Sequence, residues 1–303
     1  MRALLAAIPD GTTTAVEVLD DDGITDTPLE LHLAVTIEGD AAHFDFTGTA
    51  PQCAGPLNAN RAITLSAIFY VLRALAGEEI PANSGCLRPV RVTIPPGSII
   101  DPAVPAAVAG GNVETSQRLV DLCFAAFAPV LPERVPAQSQ GTMNNCTLGG
   151  RHPTPFSYYE TIGGGGGAHA RGAGLSGHHS HMTNTRNTPV EALERALPVQ
   201  VERYTIREGS GGDGAHPGGE GVVRALTARA DLDAALLTER RRHAPRGVVG
   251  GSDGACGENR IRRSDGSEEP LPGKWTGPLA RGETLIIETP GGGGYGVEEG
   301  ETS

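Results

Sequence analysis

Lysine is almost missing from this 303-residue chain: among 24 basic residues only Lys274 is a lysine. A Walker-type phosphate loop needs a lysine directly after its glycines, so that nucleotide-binding device is excluded. Schiff-base chemistry is left with one candidate amine. Basic charge is short overall, since 36 acidic residues against 24 basic ones leave a net charge of −12. A chain this acidic offers no basic face for nonspecific contacts with nucleic-acid phosphates. No apolar run approaches the ~20 residues that span a bilayer. The five cysteines (Cys53, Cys86, Cys123, Cys146, Cys256) are odd in number, scattered and free of any Cys-x-x-Cys spacing, which excludes a disulfide framework and points to reduced thiols in a cytoplasmic protein. Nor is a simple esterase with a nucleophile elbow expected. The opening MRALLAAIPDG lacks a cleavage site, so it is read as the end of a helix from a longer chain rather than a signal peptide.

What is present is a 38% hydrophobic share, consistent with a folded core, and 43 glycines clustered in the middle and at the end. Leu29, Leu31, Leu33, Val35 and Ile37 alternate with mostly polar residues, the pattern of a half-buried strand. Gly39-Asp40 then turns the chain into a returning strand through Phe44 and Phe46. ITLSAIFYVLRAL predicts a buried helix over about 62–75, and a second helix is expected to start at Asn112 as its N-cap. Thr188-Pro189-Val190-Glu191 reads as a capping box before a short helix stopped by Pro198. Strands are expected at 200–207, 221–230, 234–241 and 283–288, with a hairpin around Asp265-Gly266. The fold class is therefore α+β, strand-rich with a few buried helices and a mostly β C-terminal half. One unit is expected over 1–296, with a disordered acidic tail at 297–303.

The segment GGGGGAHARGAGLSGHHSHMTNTRNTPVE (Gly163–Glu191) stands out. Ordering such a polar run costs entropy without burying apolar surface, so a binding or catalytic surface is the better reading. Its glycines either supply backbone N–H donors to an oxyanion or form a flexible loop. His178 and His181 are candidate acid/base catalysts. His179 and His181, two apart on an extended segment, are alternatively metal ligands or plain hydrogen-bonded loop histidines. Asn184 and Arg186 are candidate substrate contacts. In NVETSQR, Asn112, Glu114 and Arg118 open a helix whose first N–H groups favour an anion, or else Asn112 caps and Arg118 pairs locally. In SQGTMNN, Gln140, Asn144 and Asn145 place amides that suit a cyclic amide carrying C=O and N–H, although turns use asparagine too.

These three motifs, with the closing ETPGGGGYG (Glu288–Gly296), resemble the hydantoinase B/oxoprolinase family over roughly 20–296. The resemblance implies the C-terminal portion of a longer protein. The absent N-terminal portion is the one in which relatives carry an Asp/His metal motif, so a divalent metal is possible while its family motif is not in this chain. It further implies a component of an ATP-dependent cyclic amidohydrolase acting on a hydantoin or 5-oxoproline-type ring, in a hetero-oligomer of the kind linked to glutathione metabolism. ATP would sit on an A-type partner subunit or domain, and activity would require that partner or the missing portion. A subunit of an acetone-type carboxylase and a non-catalytic assembly fragment are the alternatives.

Overall fold

The computed structural model describes residues 1–77, 79–151 and 154–297. The apolar start forms helix α1 (Arg2–Ala6), and strand β1 (Gly11–Leu19) follows. The predicted alternation becomes β2 (Leu29–Glu38), which turns at Gly39, φ 59°, into β3 (Ala41–Asp45). That left-handed conformation is open to glycine at no steric cost. The first predicted helix is α2 (Arg61–Ala76); Asn60 accepts the N–H groups of Ala62 and Ile63, and left-handed Gly77 ends it. Strand β4 (Val90–Thr93) pairs in parallel with β3, giving a four-stranded sheet ordered β1-β2-β3-β4 and otherwise antiparallel.

Helix α3 (Ser116–Phe127) packs on β1, β2 and α2. Its Phe127 ring lies 6.1 Å from Phe44 of β3, and Leu31, Leu33, Val35 and Ile37 of β2 are buried. Full burial of each such side chain is worth ~1.5–3 kcal/mol. The expected cap at Asn112 is not formed. A wide turn over Gly111–Thr115 precedes α3, with the Glu114 and Thr115 N–H groups both directed at the Gly110 carbonyl. Asn112 lies inside that turn, and its carbonyl accepts the Ser116 hydroxyl at 2.5 Å.

From Ala137 onward the chain is mostly β: β5 (Asn145–Gly150), β6 (Phe156–Glu160), helix α4 (Val190–Ala196), then β7 (Val199–Arg207), β8 (Gly221–Ala228), β9 (Leu232–Leu237), β10 (Glu258–Arg262), β11 (Glu268–Leu271), β12 (Lys274–Leu279) and β13 (Thr284–Glu288). They build one sheet ordered β11-β10-β13-β8-β7 and another ordered β12-β9-β5-β6. A shared core joins them: Val222, Leu226, Ile261, Leu285 and Ile287 from the first meet Cys146, Leu148, Ala234, Leu236 and Leu279 from the second. Pro189, rather than Thr188, is the N-cap of α4, and no side chain caps it. The predicted strand at 234–241 ends at Leu237, and Arg240 beyond it adopts a left-handed φ of 62°.

The glycine runs are neither flexible nor helical. They lie side by side and exchange backbone hydrogen bonds: Gly166 N–H to the Leu175 carbonyl, Gly219 to Gly166, Gly292 to Gly219, Gly293 to Gln138, and Gly294 to Ser252. A Cβ at Gly165 would lie 2.0 Å from the Gly219 oxygen, and one at Gly292 would lie 2.0 Å from the Gly166 oxygen. Only glycine permits that approach.

Packing divides the chain into two compact units, Met1–Pro136 and the part from Ala137 onward, where the sequence reading expected one. The boundary falls in a short run with Pro132 and Pro136 but no glycine- or serine-rich linker, so composition gave no signal. The expected tail beyond Val297 lies outside the described residues. No described helix is long and apolar enough to cross a membrane.

Candidate functional site

The second unit gathers the polar residues of the histidine segment around a buried ion pair. Arg224 on β8 shares the inward face with Val222 and Leu226, and Glu160 ends β6 directly opposite Cys146. Arg224 Nε and Nη2 donate to the two Glu160 carboxylate oxygens at 3.1 Å each. The guanidinium also stacks over Tyr204, 4.6 Å from the ring centre. Asn187 Nδ2 donates to Glu160 Oε2 at 3.0 Å and to the Thr161 carbonyl at 3.0 Å, while Tyr204 OH donates to Asn187 Oδ1 at 2.8 Å. Tyr158 OH adds a bond to Glu160 at 2.9 Å, and the Thr161 and Thr185 hydroxyls bond to each other. One buried carboxylate thus anchors the C-terminal end of the 183–188 run through Asn187, while Thr161 holds its middle at Thr185. Sequence reading missed Glu160, Arg224 and Tyr204; the available signal was an arginine within the apolar inward row of GVVRALTA.

Held this way, Asn184 and Arg186 are exposed. His178 is also exposed, and its backbone pairs with Gly164 in both directions, at 2.7 and 3.1 Å. His179 is half-buried with Nδ1 3.3 Å from the Thr183 hydroxyl and Nε2 3.4 Å from that of Thr185. Burial, then the neighbouring His178, lowers its pKa. His181 is depressed further, to about 4, first by burial and then by His178, so it is neutral at pH 7. Its φ of 56° breaks the extended geometry that would have set His179 and His181 on one face. Among the described residues no three His, Cys, Asp or Glu side chains converge as a metal set. Both nitrogens of His179 face hydroxyls instead, so His179 and His181 do not form a metal set among the described residues.

Gln140 and Asn144 come together next to this segment. Asn144 Nδ2 donates to Gln140 Oε1 at 2.7 Å, and Gln140 packs on Gly164, whose Cβ would stand 2.2 Å from that oxygen. Arg241 donates to Asn144 Oδ1 at 2.8 Å. Asn145 donates to the Leu237 carbonyl at 2.7 Å and accepts from Tyr159 OH at 2.6 Å. All three amides are buried, so their acceptors and most of their donors serve the fold. The Gln140 Nε2 group is buried with no hydrogen-bond partner. Four of the five glycines of the run are not available as oxyanion donors: the N–H groups of Gly164, Gly165, Gly166 and Gly167 already donate to the His178, Pro290 and Leu175 carbonyls and the Ser139 hydroxyl. Gly250–Gly254 does carry Gly-x-Ser-x-Gly spacing around Ser252, but no strand-to-helix elbow is present, and the Ser252 hydroxyl accepts the Asp213 N–H at 2.7 Å.

In the first unit, Glu114 and Arg118 are fully buried, and Arg118 lies 3.6 Å from Asp121. Burial raises the Asp121 carboxyl against the pull of Arg118. Asn112 is exposed in the turn before α3. The structure therefore joins Gln140 to Asn144, pairs the His178 backbone with Gly164 on which Gln140 packs, keeps Asn184 and Arg186 exposed on the same segment, and leaves Asn112, Glu114 and Arg118 in the other unit.

The hydantoinase B/oxoprolinase family matches residues 1–298. The 5-oxoprolinase 1 of Arabidopsis thaliana is 46% identical over 284 residues, covering 93% of this chain and 22% of that protein. Among solved structures, the ATP-dependent caprolactamase from Pseudomonas jessenii superimposes with a TM-score of 0.84 at 25% identity, covering 98% of this chain and 53% of that one. A nucleotide-free acetone carboxylase shares the fold, with a TM-score of 0.79 at 19% identity over 97% of this chain and 47% of that one. The chain spans less than a quarter of the length of its 5-oxoprolinase relative and about half of the caprolactamase. Matched along nearly its whole length, this chain belongs to the hydantoinase B/oxoprolinase family.

Proposed function

We propose that this chain is the ring-opening part of an ATP-dependent cyclic amidohydrolase, acting with an A-type ATP-binding subunit or domain on a hydantoin or 5-oxoproline-type ring. The observation that carries this reading is the His178–Arg186 segment, which presents an imidazole, an amide and a guanidinium on a loop fixed by the Glu160–Arg224 pair. Family membership and the likeness to a caprolactamase support it. An unstrained lactam resists water, and ATP on the partner supplies the phosphoryl group that makes the ring amide carbon electrophilic. The residues here then have two tasks. Exposed His178 takes a proton from the attacking water, a general-base contribution of about 10²–10⁴-fold; the protons of that water pass to the ring nitrogen as the C–N bond breaks, and a second water releases inorganic phosphate from the resulting acyl phosphate to leave the carboxylate. Arg186 and Asn184 hold the anionic, oxygen-rich group, which a guanidinium fork suits. His181, neutral and half-buried, serves the loop rather than the proton transfer.

The test is turnover of a panel of cyclic amides by the chain combined with an A-type partner and ATP. His178→Gln should lower kcat by 10²-fold or more with assembly and Tm unchanged, and Arg186→Ala should raise KM. Wild-type turnover in both variants would remove this segment from the active site.

A further inference from the structure

The first unit carries a cavity of about 390 Å³ on the face of the β1–β4 sheet opposite α3, lined among others by Arg2, Thr36, Glu38, His43, Arg88 and Arg91. That volume falls in the range of small-molecule sites. Thr36, His43 and Arg91 form one cross-strand row, since Thr36 pairs with His43 and His43 with Arg91. Arg91 Nη2 donates to His43 Nδ1 at 2.9 Å, which requires the imidazole proton on Nε2, and Nε2 donates to the Thr93 hydroxyl at 2.8 Å. The His43 ring thus holds one edge of the Arg91 fork and leaves the rest facing the cavity.

The charges of this cavity do not cancel internally. Arg2 is paired with Asp40 at 2.7 Å. Among the described residues, no acidic group lies within ion-pair distance of Arg88 or Arg91, and no basic group within that distance of Glu38. Arg91 also acts on Asp45, whose carboxyl is held low first by the Thr47 hydrogen bonds and then by His43 and Arg91, so among the described residues the Arg88 guanidinium and the Glu38 carboxylate are the cavity charges left without a counter-charge, with the Arg91 fork beside them. Glu38 and Arg91 lie on the same sheet face, two strands and one pleat repeat apart, ~12 Å between backbone positions. Their side chains close part of that distance and leave room for a short molecule between opposite charges.

We infer that this cavity is a binding site for a small amino carboxylate, its carboxylate held by the Arg88 and Arg91 forks and its ammonium by Glu38. Guanidinium forks match the two oxygens of a carboxylate, and a lone acidic side chain opposite them selects against a ligand that is only an anion. The site is separate from the histidine segment and does not depend on the function proposed above.

The test uses the intact chain and four probes: 5-aminopentanoate, pentanoate, pentylamine and inorganic phosphate. Binding is followed by calorimetry and by the His43 imidazole resonances, which report on the Arg91 contact. 5-Aminopentanoate should bind at least tenfold more tightly than the other three and shift the His43 signals. The double variant Arg88→Ala/Arg91→Ala should abolish binding, and Glu38→Gln should reduce 5-aminopentanoate to the affinity of pentanoate. These side chains are exposed, so Tm should stay within a degree or two of wild type, confirming that the variants are folded. Equal binding of pentanoate or phosphate, unaffected by Glu38→Gln, would overturn the amino-carboxylate assignment. Absence of 5-aminopentanoate binding at 10 mM, a concentration chosen at about the weak limit of such contacts, would overturn the site itself.

Discussion

Glu160 is the residue on which the candidate site depends most. It is buried and accepts from Arg224, Tyr158 and Asn187. Removing one member of a buried pair leaves the other charge uncompensated, which costs about 3–5 kcal/mol. Glu160→Ala should therefore lower the urea midpoint by that equivalent, and should release the 183–188 run to proteolysis before the sheets unfold. An unchanged midpoint would mean the pair is dispensable. His181 adds a pH dependence. Its folded pKa, about 4, lies below the ordinary value of 6.5, so between these values the unfolded chain takes up a proton that the folded chain resists. Stability contributed by the neutral form is complete above pH 6.5 and is lost as pH falls toward 4, about 1.4 kcal/mol for each unit of depression. His181→Gln should flatten this part of the stability profile measured by denaturant unfolding.

The element that most distinguishes the second unit is the stack of glycine segments. Backbone polar groups must be satisfied when buried, and here neighbouring extended segments satisfy each other without forming a pleated sheet. The cost is that almost no side chain is tolerated at the contacts. Gly292→Ala places a Cβ 2.0 Å from the Gly166 oxygen and forces backbone to move, so a loss of at least ~2 kcal/mol is expected. Gly282 is the control: its φ is +89° but a Cβ there would meet nothing within 4 Å, so Gly282→Ala should cost ~1 kcal/mol from backbone strain alone. Thermal unfolding of the two variants compares them directly; equal shifts would show that the stack yields to an added methyl. The same stack carries Gly164 and Gly165 beside Gln140 and His178, so a glycine variant there should disturb the candidate site as well as the fold.

For the whole molecule, the near-absence of lysine takes on structural meaning. Lys274 is buried and its ammonium is engaged with Glu239 between β12 and the end of β9. It is not on offer to a phosphate, and no loop of the Walker kind surrounds it. Isothermal titration of the chain alone with ATP should show no sub-micromolar binding, and tight binding without a partner would relocate the nucleotide chemistry to this chain. The part of the 5-oxoprolinase of Arabidopsis thaliana matched here is less than a quarter of that protein's length.

Sequence alone determined the elements whose information is local. The period-two row Leu29–Ile37, the apolar run of α2, the glycine turns at Gly39 and Gly266 and the stop at Pro198 each act within a few residues, and each was legible. The motifs were legible too, because they are contiguous and long enough to identify the family. Tertiary structure decided what those motifs do. Arg224 and Glu160 are 64 residues apart and become a pair only when the two sheets face each other. Asn144 and Asn145 read as free amides until Arg241, Leu237 and Tyr159 occupy them. The glycine runs, flexible when considered one at a time, are held in place by backbone bonds to other segments, including glycines as distant in sequence as Gly166, Gly219 and Gly292. Hydrogen bonds and close backbone contacts between distant segments leave no periodic trace in the chain, and that is why only the folded protein reveals them.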